Sequence, residues 1–237
     1  QDQSARYLQH LFISGNPFEV GSKQLLDESD SGTGYDAVHR LYHPIFRSFL
    51  ERFGFYDLFL VSATDDRIVY TVFKEVDFGT SLAAGPHRDS NLAEAYRAAR
   101  RAELDSFSHL IDFAPYAPSY GAPASFIASP VMDEDEVLGV LVFQLPLDRI
   151  NETMTNGGGW RSVGMGESGE AYLVGPDERL RTESRFLIED LEGYLQAIRE
   201  AGVGEDVVRA VAAQGSAVGL QPVSTEGVRR ALDRESG

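Results

Sequence analysis

Hydrophobic residues recur every three or four positions over Tyr35–Phe53, and this spacing predicts a helix with one buried face. Gly54 supplies a stop signal after it, and Pro44 is expected to kink or divide it. A shorter amphipathic run lies within residues 1–14, so residues 1–54 are predicted to be a helical segment. The apolar positions of the long helix are Tyr35, Val38, Leu41, Tyr42, Ile45, Phe46, Phe49 and Leu50.

The pattern then changes to short runs of β-branched and aromatic residues, which predict strands. Tyr56–Ser62 and Arg67–Phe73 are two such runs, and Glu75–Leu82 favours a third. A helix follows at Asp89–Phe107, with Asp89 or Ser90 as its cap. Asp112–Pro123 contains three prolines and is expected to be a loop.

Two apolar runs, Ser125–Val131 and Val137–Leu145, flank an acidic turn and predict a β-hairpin. A connecting helix is expected over 146–156, and Asn156–Gly159 is the sharpest break in composition. We therefore predict a first domain over 55–156 and a second over 157–237. The second domain would contain a strand at Glu170–Val174 and helices at 186–201 and 205–214, and it has no clear closing hairpin.

Amino-acid composition and net charge limit the classes of binding partner and of chemistry. The chain has 37 acidic and 21 basic residues and a formal net charge of −16, which disfavours binding to nucleic acid or to an anionic membrane surface. It has no cysteine, which excludes disulfides and thiolate chemistry. Only two of the basic residues are lysines, Lys23 and Lys74. Salt adaptation and a GC-rich genome explain that bias equally well.

Catalytic and metal-binding motifs are weak. Residues 164–169 match G-x-G-x-x-G but precede a predicted strand, which is the reverse of the order in a dinucleotide site. His39 and His43 have the i,i+4 spacing of metal ligands, yet no third ligand is close in sequence. Residues 27–38 lack the closing carboxylate of a calcium loop. We expect no catalytic residues, no metal and no cofactor.

If residues 70–77 are extended as a strand, Lys74 shares an otherwise apolar face with Tyr70 and Val72 and therefore calls for a partner or a ligand. A salt-bridged or snorkelling lysine is the alternative interpretation. The loop Tyr116–Tyr120 offers tyrosines on a proline frame, a combination suited to small-molecule recognition as well as to packing over a sheet. The predicted ligand-binding residues are Tyr70, Lys74, Asp77, Tyr116, Ser119, Tyr120 and Ser125.

Four stretches in this order resemble double Cache sensor domains, the extracytoplasmic PAS-like modules of bacterial chemoreceptors, histidine kinases and cyclases. The resemblance covers about residues 35–186. The sequence departs from the amino-acid-binding members of this family at two points. Its only tryptophan, Trp160, lies at the predicted break in composition, and Pro118 stands in the region where those members carry an aspartate. The stretches are 42–47 (YHPIFR), 56–61 (YDLFLV), 68–80 (IVYTVFKEVDFGT) and 169–177 (GEAYLVGPD).

The resemblance implies an α+β fold, with a long N-terminal helix followed by two PAS-like domains with antiparallel sheets, the second smaller or truncated. It also implies a periplasmic location, transmembrane helices outside both ends, a homodimer in the receptor and a small ligand in the distal domain. We expect Lys74 to meet an anionic group of that ligand, and no catalysis in this chain. Two alternatives are a hydrolase or lyase from a salt-adapted bacterium and a soluble periplasmic binding protein.

Overall fold

The computed structural model describes residues 3–233. The chain divides into two compact units between Pro146 and Leu147. This division lies ahead of the predicted boundary at residue 156. The helix that begins at Leu147 belongs to the second unit, where the Asn151 side chain accepts a hydrogen bond of 2.8 Å from the backbone N–H of Glu183.

The first unit is built on a five-stranded antiparallel sheet of order β2-β1-β5-β4-β3. Strand β5 lies at its centre, and β2 and β3 are its edges. The helices of this unit are α1 (Gln3–Gln9), α2 (Gly34–Phe53) and α3 (Asn91–Arg100). Its strands are β1 (Asp57–Ser62), β2 (Ile68–Thr71), β3 (His109–Pro115), β4 (Pro123–Asp133) and β5 (Glu136–Gln144).

Alternation along β1 divides the core between the two faces of the sheet, because successive side chains of a strand point in opposite directions. Leu58 packs in one cluster with Leu50 of α2. Phe59 and Val61 pack in another, with Tyr96 of α3. The sheet therefore lies between α2 and α3.

Helix α2 has the predicted limits because both ends are capped. The Thr33 side chain accepts a hydrogen bond from the Asp36 N–H, and Gly54 takes a left-handed φ of 73° while its N–H bonds to the Leu50 carbonyl. Pro44 lies inside the helix, which nevertheless runs unbroken over 20 residues. The expectation that this proline divides the helix is wrong.

Two further predictions in the first unit are corrected. Glu75–Leu82 does not form a strand, because left-handed backbone at Lys74 (φ 57°) and Gly79 (φ 77°) turns the chain there. Conversely, β3 extends to Pro115, inside the predicted proline loop. It is an edge strand, where proline is tolerated, and it pairs antiparallel with β4.

The second unit is mainly helical. The predicted strand at Glu170–Val174 is reduced to one bridge between Val174 and Leu180, and β-pairing among residues 147–233 is limited to isolated bridges. No sheet of the predicted PAS-like kind is formed in that range. The backbone of the run meets the segment just after it, where the Arg181 N–H bonds to the Leu173 carbonyl, and the Glu170 carboxylate accepts hydrogen bonds from Ser184 and Arg185. The helices are α4 (Leu147–Thr155), α5 (Arg185–Glu189), α6 (Leu191–Glu200), α7 (Glu205–Gln214) and α8 (Glu226–Leu232).

The core of the second unit forms where α6 and α7 pack around Leu180, with Tyr194, Val208 and Val211 buried. Across residues 3–233, no helix combines the length and the apolar character needed to cross a membrane.

Candidate ligand-binding site

The candidate site is built on the turn segment, residues 72–80, which follows edge strand β2. The Thr71 hydroxyl accepts the Lys74 N–H at 2.8 Å, and the Thr80 N–H bonds to the Asp77 carbonyl at 2.9 Å. Lys74 is held in a left-handed conformation that a residue with a Cβ rarely adopts. The segment thereby brings Lys74, Glu75 and Asp77 to one end of the sheet.

The Lys74 ammonium is enclosed by aromatic rings. Lys74 is 1% exposed, and its Nζ lies 4.1 Å from the centroid of Tyr70, 5.1 Å from that of Phe78 and 5.7 Å from that of Phe12. Nζ also donates a hydrogen bond to the Thr71 carbonyl. Burial lowers the pKa of Lys74 to about 7, and the charge of Asp57 opposes that change.

Asp57, the first residue of β1, is fully buried and holds the end of β2 in place. Its Oδ1 accepts hydrogen bonds from the backbone N–H groups of Leu58 (2.7 Å), Val72 (2.9 Å) and Phe73 (3.2 Å). Its Oδ2 is buried without a hydrogen-bond partner. Burial, followed by repulsion from Asp77, raises the pKa of Asp57 well above its usual value.

Asp77 pairs with the loop before β4. The Tyr116 hydroxyl donates to Asp77 Oδ2 at 2.5 Å, and both side chains are buried. Asp77 Oδ1 has no hydrogen-bond partner. Burial raises the pKa of Asp77 to about 6, and the bond from Tyr116 opposes this rise.

Glu75 is half-buried between two hydroxyl groups. Ser119 Oγ donates to its Oε2, and Tyr56 donates to its Oε1, both at 3.3 Å. Gln144 Nε2 in turn donates to Ser119 Oγ at 3.3 Å. Burial, followed by repulsion from Asp77, raises the pKa of Glu75 to about 7.

A cavity of about 320 Å³ lies beside this network. Its walls come from the turn segment, the loop before β4 and the segment that precedes α2. Most of the wall is apolar or aromatic, and Glu75 is the acidic residue in it. The lining residues are Ile13, Val20, Gly21, Lys23, Tyr56, Phe73, Lys74, Glu75, Val76, Ala117, Pro118 and Tyr120.

The predicted residues fall into three groups. Lys74 and Tyr120 line the cavity, and Tyr120 is 79% exposed at it. Asp77, Tyr116 and Ser119 form the network described above. The other two, Tyr70 and Ser125, are placed elsewhere.

Tyr70 lines a separate apolar groove of about 350 Å³ beside α2. Its hydroxyl donates to His43 Nδ1 at 2.7 Å, because His43 Nε2 donates to the Gln24 carbonyl. Ser125 donates to the Ile111 carbonyl at 2.6 Å, which ties β4 to β3, and it is not among the residues that line the cavity.

The geometry bears on the charge expected of the ligand. Lys74 was expected to meet an anionic group, but its ammonium is already engaged by the Thr71 carbonyl and three rings. The side chain follows the left-handed turn back toward β2, which an alternating strand pattern does not reveal. An acidic side chain, Glu75, stands in the cavity wall.

Sequence reasoning missed Asp57, Tyr56, Phe73, Glu75 and Gln144. Two signals were present in the sequence. Asp57 is a charged residue at the start of an otherwise apolar run, and Phe73, Glu75 and Asp77 share one face of the predicted strand. Gln144 carried no signal of its own, because it reaches Ser119 only through the pairing of β5 with its neighbours.

No family model and no curated protein matches the chain. Solved structures do align with it. The sensor domain of the Vibrio cholerae histidine kinase DctB is 16% identical, with a TM-score of 0.38, and the alignment covers 63% of this chain and 52% of that one. The chain thus spans about half the length of that domain.

Two chemoreceptors align over more of the chain. The ligand-binding domain of the Pseudomonas aeruginosa PAO1 amino acid chemoreceptor PctC, in complex with GABA, is 15% identical over 76% of this chain and 68% of that one, with a TM-score of 0.43. The sensory domain of Campylobacter jejuni Tlp3 is 11% identical over 76% and 62%, with a TM-score of 0.42. These neighbours are sensor or ligand-binding domains of a histidine kinase and of chemoreceptors. The ligand of this chain has to be inferred from its own residues.

Proposed function

We propose that this chain is the extracytoplasmic small-molecule sensing part of a bacterial transmembrane receptor and that it has no catalytic activity of its own. The observation that carries the proposal is the cavity of about 320 Å³ beside the turn segment. Cavities of this size, mostly apolar and with few polar groups, are typical of small-ligand sites. The ordered Cache-like stretches of the sequence support the receptor context.

The cavity favours binding over catalysis. None of its lining residues in the described part of the chain is a histidine, and the buried pair His39 and His43 bonds to the Asp27 and Gln24 carbonyls instead. The Asp77 carboxyl is fully buried and bonded to Tyr116. Among the described lining residues Glu75 is the one carboxyl group, and it accepts hydrogen bonds from Ser119 and Tyr56 with no histidine in the lining to activate either hydroxyl, so a hydrolase or lyase is not favoured.

Ligand binding is tested by a thermal-shift screen of small organic compounds, with hits confirmed by calorimetry. Val20 lines the cavity and is 68% exposed, so Val20→Trp should fill the space and keep the fold. We expect affinity for a genuine hit to fall at least tenfold. Leu138→Trp, at an exposed β5 position outside the cavity lining, is the matched control. The proposal would be contradicted if the affinity of every hit were unchanged in Val20→Trp, or if the screen gave no hits.

We further propose that α2 pairs with α2 of a second copy in the receptor. Val38, Tyr42, Ile45 and Phe49 are exposed on this helix at successive spacings of four, three and four residues. This alternation is the seam pattern of two packed helices and favours a helix of the same kind as the partner. Sedimentation at increasing concentration should show a dimer that Ile45→Glu abolishes. An unchanged dimer in that variant would place the contact elsewhere.

The second unit is proposed as the membrane-proximal part, with transmembrane helices outside both ends of this chain. A ligand would act by changing the relative populations of two receptor arrangements. The cytoplasmic output is not encoded in these residues.

A further inference from the structure

We propose that the cavity takes an organic ammonium ligand, which presents its cationic nitrogen to Glu75 and its apolar body to Tyr56, Phe73 and Tyr120. This inference rests on the proposed sensing function and specifies the chemistry of the same site. Lys74 considered alone suggests an anionic ligand, and this proposal gives the ligand the opposite charge.

The first argument is the charge around the site. Three carboxyl groups, Asp57, Glu75 and Asp77, repel one another there, and Lys74 is the basic group that interacts with Asp57. The Lys74 ammonium is turned into its aromatic enclosure. Lys23, the other lysine of the wall, donates to the Ile13 carbonyl at 2.8 Å. An added cation at Glu75 relieves this repulsion, whereas an added anion increases it.

The second argument is an excess of hydrogen-bond acceptors. Asp57 Oδ2, Asp77 Oδ1 and Gln144 Oε1 are all buried without a partner, and all three only accept when the carboxyls are ionised. Gln144 is linked to Glu75 through Ser119. Glu75 is the member of this acceptor-rich network that lines the cavity, so a ligand reaches the network there, and an ammonium group supplies hydrogen-bond donors only.

The third argument is the aromatic wall. The Tyr56 and Phe73 rings stack with centroids 5.2 Å apart and planes at 11°. Tyr120 stands exposed at the same cavity. Ring faces attract cations, and this protein already holds its own Lys74 ammonium over the Tyr70 ring in this way. Aromatic faces together with one carboxylate fit an organic cation better than a neutral or anionic molecule.

The test uses three probes of similar shape and different charge: phenethylamine, 2-phenylethanol and phenylacetate. Calorimetry at pH 8 should show binding of the amine, at least tenfold weaker binding of the alcohol, and no measurable binding of the carboxylate. Glu75→Gln should reduce amine affinity at least tenfold and leave alcohol affinity unchanged. Glu134→Gln, in the exposed turn between β4 and β5, is the matched control.

The pH dependence provides an independent measurement. Amine affinity should rise between pH 6 and 8 as Glu75 ionises, and the rise should be clearly smaller in Glu75→Gln, where Asp77 and Lys74 still titrate. The other charged and titratable groups around Glu75 are all retained in that variant: Asp57, Asp77, Lys74, Lys23, Tyr56, Tyr116 and Tyr120. Tyr120→Leu, at an exposed position, should weaken the amine two- to fivefold with no loss of fold by circular dichroism.

The outcomes separate this inference from the proposed function. Carboxylate binding that exceeds amine binding, or Glu75→Gln without effect on the amine, overturns the ammonium assignment. If a compound of another charge class binds and Val20→Trp removes that binding, the sensing function stands and the ammonium assignment fails. If no compound of any charge class binds, both fail.

Discussion

In each unit of the described chain, a basic side chain is buried against an aromatic ring. The two side chains differ in the number of hydrogen bonds that they donate. In the first unit, the Lys74 ammonium donates a hydrogen bond to the Thr71 carbonyl and lies over the Tyr70 ring. In the second unit, Arg185 is 2% exposed, and its Cζ lies 4.9 Å from the centroid of the Trp160 ring.

The hydrogen bonds of Arg185 fix a loop. Its guanidinium donates to Glu189 Oε1 (3.0 Å), the Gly166 carbonyl (3.1 Å) and the Gly169 carbonyl (2.9 Å). The G-x-G-x-x-G run of the sequence is thus a loop held by an arginine. The planar fork of Arg serves several acceptors at once, whereas burial readily lowers the pKa of the compact Lys ammonium. Arg185 therefore has a structural role, and Lys74 remains open to titration.

The largest expected effect concerns Asp57, whose charge stabilises the protonated form of Lys74. Asp57→Ala removes the side-chain acceptor of three backbone N–H groups at the β1–β2 end, of which Val72 keeps a second bond to the Leu58 carbonyl at 3.2 Å, and we expect the unfolding free energy to fall by about 3 kcal/mol. Asp57→Asn keeps Oδ1 and should cost about 1 kcal/mol. Urea denaturation followed by circular dichroism measures both. Equal losses in the two variants would mean that the charge, rather than these three bonds, is what matters.

The substitution Arg185→Met tests how much the buried basic side chain of the second unit contributes to stability. It removes three hydrogen bonds, and we expect the second unit to lose about 2–3 kcal/mol of unfolding free energy. Trp160 is the only tryptophan of the chain, so its fluorescence follows this unit during urea denaturation. Arg161→Met is the control, because its exposed ion pair with Glu167 is worth less than about 0.5 kcal/mol. A loss no greater than that of the control would contradict the role given to Arg185.

A smaller expected effect, the dependence of the unfolding free energy on pH, distinguishes Lys74 from Arg185. The pKa of Lys74 is lowered to about 7 in the folded protein, so above pH 7 the unfolded chain binds more protons than the folded one. Stability contributed by this group therefore rises with pH, by roughly 1–2 kcal/mol between pH 7.5 and 9. Lys74→Met should remove that rise.

The measurement is the difference in unfolding free energy between wild type and Lys74→Met at each pH. Asp57, whose pKa is raised by burial and by Asp77, is present in both proteins. A difference that stays constant from pH 7.5 to 9 would show that Lys74 keeps its proton in the folded state.

The sequence predicted the elements that rest on local signals. Helix α2 follows from its apolar period and from Gly54, and the β4–β5 hairpin follows from two apolar runs across an acidic turn. Strand β3 was missed because its identity depends on pairing with β4 and not on its own composition. The turn segment was predicted as a strand because a left-handed φ at Lys74 leaves no trace in hydrophobic alternation.

The candidate site was predicted in part for the same reason. The scarcity of lysine singled out Lys74, and the loop 116–120 supplied Tyr120 and Ser119. The direction of the Lys74 ammonium and the grouping of Asp57 with Asp77 depend on how distant segments meet. These two features determine the charge of the site, so the expected sign of the ligand could not be obtained from the sequence.

The edges of the sheet bear on how the protein behaves at high concentration. Edge strand β2 has four residues and ends at the turn segment, and edge strand β3 has an irregular register between Ile111 and Ala114 and closes on Pro115. Short, irregular or proline-ended edges offer little template for a strand from another molecule. Fibril growth by sheet extension is thereby disfavoured, and concentrated samples should associate through side chains, with α2 as the exposed apolar face.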